Sequence, residues 1–165
     1  MSLLHDAYTA LLSGLTAKTG NEIHWWNKYG KPITIEIVDI SKEKYIVRHY
    51  YVNGNKNWEQ EYQNGLPHGK SIDWYTNGNK RLEQEFKNRK RHGKAIEWDE
   101  DGNKLWEVEY QNDRLHGKYA EWHKNGNKWR EEEFRNGKIH GKSIGWDKGG
   151  NKIWENEYQN GRLIK

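Results

Sequence analysis

The chain contains no cysteine and only 2 prolines among its 165 residues. Without cysteine there are no disulfide bonds, no thiolate metal sites and no cysteine nucleophile. No run reaches the roughly 18 apolar residues that a membrane-spanning helix needs, so we expect no transmembrane segment. The opening stretch MSLLHDAYTALLSGL lacks a basic leader and contains Asp6, which predicts no signal peptide. We therefore expect an intracellular (cytoplasmic) protein, or one held within an assembled particle.

Apolar residues are also scarce, since hydrophobic residues make up 33% of the chain and charged residues 32%. This balance is typical of disordered chains, because little apolar surface is available for burial. Ten Trp and ten Tyr favour a folded protein, because each large ring buries roughly 150–250 Å². The net charge of +4 comes from closely interleaved acidic and basic residues, which is a weak signal for nucleic-acid binding.

A period of 24 residues runs through most of the chain. A unit such as GKSIDWYTNGNKRLEQEF has two short alternating segments on either side of Asn-Gly, with no room for a helix between them, which predicts a β-hairpin. Period-2 alternation with Trp74 opposite Leu82 would place Ile72, Trp74, Leu82 and Phe86 on one face. It would also set Asp73 against Glu83, an unfavourable like-charge pair. The recurring positions are Gly54, Gly78, Gly102, Gly126 and Gly150; His68, His92, His116 and His140; Trp74, Trp98, Trp122 and Trp146; and Tyr62, Phe86, Tyr110, Phe134 and Tyr158.

The tandem pattern NG…K…E.EY.NG..HGK…W resembles the variant MORN repeat family. Residues 46–165 hold five units, and residues 22–45 form a degenerate first repeat in which Gly30 is in phase with Gly54. The resemblance implies an all-β fold: an elongated single-layer meander of stacked antiparallel β-hairpins that serves interaction or assembly. Such variant repeats occur in bacterial proteins, some described as antitoxin components, and in giant DNA viruses.

The first 21 residues are predicted to form a helical cap on this sheet. Ser2 is a candidate N-cap, and the segment would cover an apolar patch at the degenerate repeat, where Ile35 and Ile37 occupy the positions of two later Glu columns. A membrane-surface or partner-binding helix is the alternative interpretation. The predicted cap contacts are Leu4, Tyr8, Leu11, Leu12, Leu15, Trp25, Ile35 and Ile37.

At the other end, the segment IWENEYQNGRLIK predicts a last strand with an open edge. An unpaired strand is a template for pairing with a partner or a second copy; alternatively, its charged residues keep the edge soluble. Aromatic residues are frequent anchors at interfaces, although these rings could equally belong to the core. The candidate partner-binding residues are Trp58, Trp106, Trp154 and Tyr158.

No catalytic residue, metal site or cofactor is predicted. GLPHGKS at Gly65 and GKIHGKS at Gly137 resemble a phosphate-binding loop, but only three residues separate their glycines and a strand follows. The His column would repeat at about 10 Å, too far apart to share a zinc ion, so turn packing or hydrogen bonding to the neighbouring repeat is expected instead. The Glu columns that begin at Glu59 and Glu61 are expected to alternate with Lys on a solvated face.

One connection breaks the repeat symmetry by collecting basic residues: Lys87, Arg89, Lys90, Arg91 and Lys94. The function predicted first is a non-enzymatic interaction or assembly scaffold, for example a structural component of a large complex such as a virus particle. An antitoxin-like module that neutralises a partner toxin is one alternative. Binding of anionic lipid or nucleic acid through the basic cluster is the other.

Overall fold

The computed structural model describes residues 22–26, 32–41 and 43–165, with side chains from residue 43 onward. These residues form one antiparallel sheet in which each strand pairs with its neighbours in sequence, and they contain no helix. The predicted all-β sheet of consecutive hairpins is confirmed. The strands are β1 (Glu22–Trp26), β2 (Pro32–Ser41), β3 (Lys44–Tyr50), β4 (Lys56–Gln63), β5 (Leu66–Trp74), β6 (Lys80–Lys87), β7 (Lys90–Trp98), β8 (Lys104–Gln111), β9 (Arg114–Trp122), β10 (Lys128–Arg135), β11 (Lys138–Trp146), β12 (Lys152–Gln159) and β13 (Arg162–Leu163).

Two kinds of connection alternate along the sheet. Residues 75–79 form a loop closed by the Gly78 N–H, which donates to the Tyr75 carbonyl at 3.0 Å. The opposite edge uses two-residue turns such as Asn64–Gly65, whose φ angles of 51° and 75° are those of the mirror-image turns that suit the twist of a hairpin. The loop edge comprises residues 51–55, 75–79, 99–103, 123–127 and 147–151. The turn edge comprises residues 64–65, 88–89, 112–113, 136–137 and 160–161.

Neighbouring loops are linked by side chains. The Tyr51 hydroxyl donates to the Trp74 carbonyl at 2.8 Å, and the amides of Asn53 and Asn55 both donate to the Thr76 carbonyl at 2.9 Å. The loop at residues 75–79 makes the same bonds to the next loop. The loop at residues 123–127 bonds to the next loop in the same way, whereas Asp99 and Asn103 bond within their own loop. Repeats whose loops are joined satisfy carbonyls of the neighbour, which ties their stability to that neighbour.

The strand register separates the side chains into two faces. The aromatic face carries Trp58, Gln60 and Tyr62 in β4, Ser71 and Asp73 in β5, and the equivalent rows of later strands. The charged face carries Glu59, Ile72 and Glu83 and the equivalent rows.

The predicted register of the β5–β6 hairpin is wrong by one residue from Gly69 to Asp73 and by two at Trp74. Leu82 lies opposite Asp73, while Trp74 lies opposite Lys80, because a β-bulge at Arg81 adds a residue to β6. The Trp74 column therefore belongs to the charged face rather than to the face of Leu82 and Phe86. The unfavourable Asp73–Glu83 pair predicted with that register does not form.

Among the described residues, the buried side chains form a single row along the middle of the aromatic face. Aromatic or aliphatic residues on the same strands flank this row, as Trp106 and Tyr110 flank Val108, and these flanking side chains are only half-buried. The core is therefore one row of side chains that includes polar residues, and it is narrower than a core built from the aromatic rings would be. Its members are Val47, Gln60, Ser71, Ala95, Val108, Glu132 and Ser143, each between 2% and 7% exposed.

The degenerate first repeat pairs differently from the later ones. Register places Ile35 opposite His49 and Ile37 opposite Val47, in rows that continue to Trp58 and Gln60. The prediction that Ile35 and Ile37 occupy the Glu rows is therefore wrong. The bulge of this hairpin falls at Ile40 in its first strand, and a one-residue slip moves side chains to the other face. The cap residues Leu4, Tyr8, Leu11, Leu12 and Leu15 lie outside the described residues, and Trp25 is described by its backbone alone.

Candidate binding surfaces

Three of the predicted partner-binding residues lie in one row of the aromatic face. Trp58 pairs with Asp73, Trp106 with Glu97 and Glu121, and Trp154 with Gly145. All three indoles are half-buried, as is the ring of Tyr158 in the next row but one. They therefore share a face and combine core packing with partial exposure.

A second row on this face, which sequence reasoning missed, is apolar and exposed. The bulge residues Leu105, Trp129 and Ile153 are 36%, 45% and 59% exposed. The side chain at this position turns to the aromatic face, as shown by Arg81, whose guanidinium donates to Asp73 at 2.6 Å. We call Leu105, Trp129 and Ile153 the apolar row. Its signal in the sequence was the column Asn57, Arg81, Leu105, Trp129, Ile153, which turns from polar to apolar along the chain.

We call the row that holds Trp58, Trp106 and Trp154 the Trp row, and carboxylates occupy its alternate strands. Asp73 is paired with Arg81, and burial raises its pKa despite that arginine. Glu121 accepts from Arg130 at 3.1 Å. Glu97, between them, forms no hydrogen bond or ion pair with any described residue, although it is half-buried between Leu82 and Trp106.

A polar network occupies the aromatic face where Arg130 replaces the Trp or Leu of other repeats. Arg130 lies 3.6 Å from the carboxylate of buried Glu132, which accepts from the Ser143 hydroxyl at 3.0 Å. Tyr119 donates to Glu121, and its ring lies 5.1 Å from the Arg130 guanidinium. Burial, followed by the bond to Glu121, raises the pKa of Tyr119 to about 12. The network was visible in sequence only as Arg130 in the column of Trp58, Leu82, Trp106 and Trp154.

The charged face is a regular lattice of ion pairs. Glu83 accepts from Lys70 at 3.1 Å and from Lys80 at 2.5 Å, and the pattern recurs at Glu107 and Glu155. Hydrogen bonds from Lys152 and then Lys142 lower the pKa of Glu155 to about 2. Lysines also lie over the Trp column, with Lys56 5.1 Å from the centre of the Trp74 ring. The predicted alternation of Glu with Lys from neighbouring strands is confirmed.

The His column lies at the turn edge. His68 Nδ1 lies 3.2 Å from the Asn88 amide oxygen, and His140 Nδ1 accepts from the Asn160 N–H at 3.3 Å. These contacts to the next turn confirm the predicted hydrogen bonding between repeats at His68 and His140. The Nδ1 atoms of His92 and His116 are buried without a hydrogen-bond partner among the described residues. Within the same residues, no three His, Asp or Glu side chains are grouped to hold a metal ion.

The predicted basic cluster divides into two parts. Arg91 lies 3.6 Å from Asp113 and stacks on Tyr110, and Lys94 is paired with Glu107 at 3.2 Å. Lys87, Arg89 and Lys90 are exposed and form no ion pair with any described residue. Lys87 and Lys90 lie directly opposite one another across the turn, and Arg89 has a φ of 68°. We call these three residues the basic turn.

The last long strand is less open than predicted. The chain returns as β13, which pairs with Tyr158 and Gln159, and Glu157 exchanges backbone hydrogen bonds with Ile164 and Lys165. The outer edge of β12 is therefore covered over its second half. In an antiparallel strand the backbone N–H and C=O groups of every second residue point to the same side. Those of Glu155 therefore point outward like those of Glu157, at a position that β13 does not cover.

No protein-family model matches this chain, and no curated protein matches its sequence. The described part of the chain contains no helix of the length and apolar character that crossing a bilayer requires.

Proposed function

We propose that this protein is a non-enzymatic scaffold that binds other proteins through the aromatic face of a MORN-like repeat sheet. The observation that carries the proposal is the apolar row, three large apolar side chains exposed at the same position of three consecutive repeats. Scattered apolar residues on a surface need no explanation, whereas a contiguous exposed set marks an interaction site.

The surroundings of the apolar row favour a protein partner. Each exposed residue of the row directly precedes a residue of the Trp row, namely Trp106, Arg130 or Trp154. Trp and Arg are enriched among the residues that dominate binding energy at interfaces. Successive repeats are about 9.6 Å apart for two strand spacings, so the surface presents evenly spaced contacts along the sheet. A partner that covers several repeats would bind them together.

The charged face is less suited to this role. Its row of Glu residues already bonds to lysines, and three of these lysines, Lys56, Lys104 and Lys128, also lie over Trp rings. A partner on that face would have to replace these contacts with others of equal strength. The two faces therefore differ in function, with the charged face keeping the sheet soluble.

The test compares two surface variants with equal numbers of substitutions. Tagged protein is used to recover crosslinked partners from an extract of the organism that encodes it. The variant Leu105→Ser, Trp129→Ser, Ile153→Ser is expected to lose a partner that the parent protein retains. The control Lys70→Ser, Lys94→Ser, Lys142→Ser, on the charged face, should retain it. Identical partners for both variants and the parent would refute the proposal.

A second candidate function, binding of polyanions, is favoured by the basic turn. Like charges directly opposite in a hairpin are destabilising, and a non-glycine residue at positive φ adds strain. Lys87, Lys90 and Arg89 combine both features without an ion pair in the described structure. An anion bound at this turn would offset the repulsion between the like charges.

This candidate predicts binding that weakens steeply with salt. Binding to single-stranded DNA and to phosphatidylserine vesicles is measured for Lys87→Gln, Arg89→Gln, Lys90→Gln and for the control Lys70→Gln, Lys94→Gln, Lys142→Gln. Both variants lose three positive charges, so only a specific site distinguishes them. Equal binding by the two variants would exclude the basic turn as a site. The antitoxin-like and virus-particle roles rest on family resemblance alone and remain predictions.

A further inference from the structure

The carboxylates of the Trp row on the aromatic face are paired with arginine, with one exception. Asp73 and Glu121 each have an arginine from the neighbouring strand, Arg81 and Arg130. In the repeat between them, the position equivalent to Arg81 is Leu105 and the position equivalent to Arg130 is Trp106. Glu97 is therefore the carboxylate for which the described structure supplies no cation.

The surroundings make this an unusual place for a bare carboxylate. Glu97 is half-buried between Leu82 and Trp106. Its carboxylate oxygens are not among the buried unpartnered atoms of the described residues, so they are open to solvent and within reach of an incoming cation. Beside it lies Leu105, which exposes 36% of its surface. Glu97 and Leu105 together form a surface that is complementary to a long side chain with a cationic end and an aliphatic stem.

We propose that Glu97 accepts an arginine side chain from a partner protein, with Leu105 and Trp106 packing against its aliphatic stem. The inference rests on the proposed function, because it names the chemistry of the partner at the apolar row. Charge complementarity identifies the occupant as a cation, because Glu97 is acidic and the other carboxylates of its row are already paired.

The neighbouring repeats show why the cation is arginine. Both paired carboxylates of the Trp row use arginine, and Arg130 lies 5.1 Å from the Tyr119 ring centre and 5.4 Å from that of Trp129. A planar guanidinium bonds a carboxylate through several N–H groups and stacks on aromatic rings at the same time. An incoming arginine at Glu97 would reproduce the carboxylate bond that Arg81 and Arg130 make and the ring stacking that Arg130 makes.

The test uses a probe peptide, acetyl-Leu-Arg-Leu-amide, and the same peptide with citrulline, which keeps the shape of arginine and lacks its charge. Indole N–H signals of the full chain labelled with ¹⁵N are followed by NMR during titration. The arginine peptide is expected to shift the Trp106 indole saturably, and the citrulline peptide is not. Glu97→Gln should weaken binding about tenfold or more, because a hydrogen bond to a charged group is lost.

The repeats provide matched variants that keep the fold. Leu105→Arg places an arginine where the preceding repeat has Arg81, and it should abolish the peptide response by occupying Glu97 from within the chain. Arg81→Leu removes the internal partner of Asp73 and should create a second response at the Trp58 indole. Thermal melting checks that both variants remain folded.

Three results would overturn the proposal. The first is no response of Trp106 to the arginine peptide, and the second is an equal response in Glu97→Gln. The third is a Trp106 shift that appears on concentrating the protein alone and is lost in Arg89→Gln, which would make the occupant a second copy. Partner recovery that depends on the apolar row but not on Glu97 would leave the scaffold function standing and refute the arginine site alone.

Discussion

The indole of Trp154 lies over Gly145, in the space that a Cβ atom at residue 145 would occupy. The two residues are directly opposite one another in β12 and β11, and Gly145 is buried. Three other repeats carry Asp73, Glu97 or Glu121 at this position. The backbone φ of Gly145 is not in the left-handed region, so its conformation does not require glycine. The Trp154 ring does, because it occupies the place of a side chain at residue 145.

Gly145→Ala is expected to destabilise the protein by about 1–3 kcal/mol, the usual cost of inserting a methyl group into a packed site. Replacing glycine by alanine in a strand normally stabilises a protein, so the expected change in the free energy of unfolding is opposite to the usual one. Urea unfolding measures the change. In a Trp154→Val background the loss should become smaller or reverse. Stabilisation by Gly145→Ala in the parent protein would show that the indole moves freely.

Ser143→Ala is expected to lower the free energy of unfolding by about 1–2 kcal/mol, because the buried Glu132 carboxylate loses a hydroxyl donor. Ser71 provides the matched control. It occupies the same buried row, at 4% exposure against 2% for Ser143, and its hydroxyl bonds to no described residue. Ser71→Ala should therefore cost less, and equal losses in the two variants would assign the effect to packing.

Arg89→Gly is expected to stabilise the protein by about 1 kcal/mol, because a residue with a Cβ is strained at positive φ. The φ of Arg89 is 68°, whereas the equivalent residue of three other turns is glycine, as at Gly137. Thermal unfolding measures the gain. Gly137→Arg is the reciprocal control and should destabilise by a similar amount. A less stable Arg89→Gly variant would mean that the arginine makes a stabilising contact that outweighs the strain.

The Glu155 carboxyl is expected to titrate at about pH 2, because Lys152 and Lys142 bond to its charged form. A carboxyl whose pKa is lower in the folded state stabilises the fold above its unfolded pKa of about 4.5, and loses that contribution as pH falls toward 2. ¹³C NMR titration of the side chain gives the midpoint. Lys152→Ala with Lys142→Ala should return it toward the ordinary value. An unchanged midpoint in that variant would show that the two lysines are not the cause.

Much of the fold was predictable because the hairpin signals are local. Asn64 and Gly65 suit a tight turn in any context, and a strict period places every later turn in the same way. The contacts of His68 with the next turn, and of Glu83 with lysines on two strands, follow once equivalent residues stack. These features depend on spacing alone.

The candidate site was harder to predict because it depends on register. The one-residue change of register places Trp74 on the charged face, and the bulge turns residues such as Leu105 and Trp129 to the aromatic face. No residue type encodes a bulge uniquely, since Arg, Leu, Trp and Ile all occupy this position. The pairing of Arg130 with Glu121, and the lack of a partner at Glu97, become visible only when neighbouring strands are aligned.

The amino-acid sequence by itself determined the stacked hairpins, their period and the identity of each column, because these follow from short-range turn chemistry and alternation. The tertiary structure decided which columns share a face, which row is buried and which carboxylate lacks an arginine. The physical reason is that one extra residue in a strand reverses the direction of every side chain beyond it, and cross-strand hydrogen bonding selects where that residue goes.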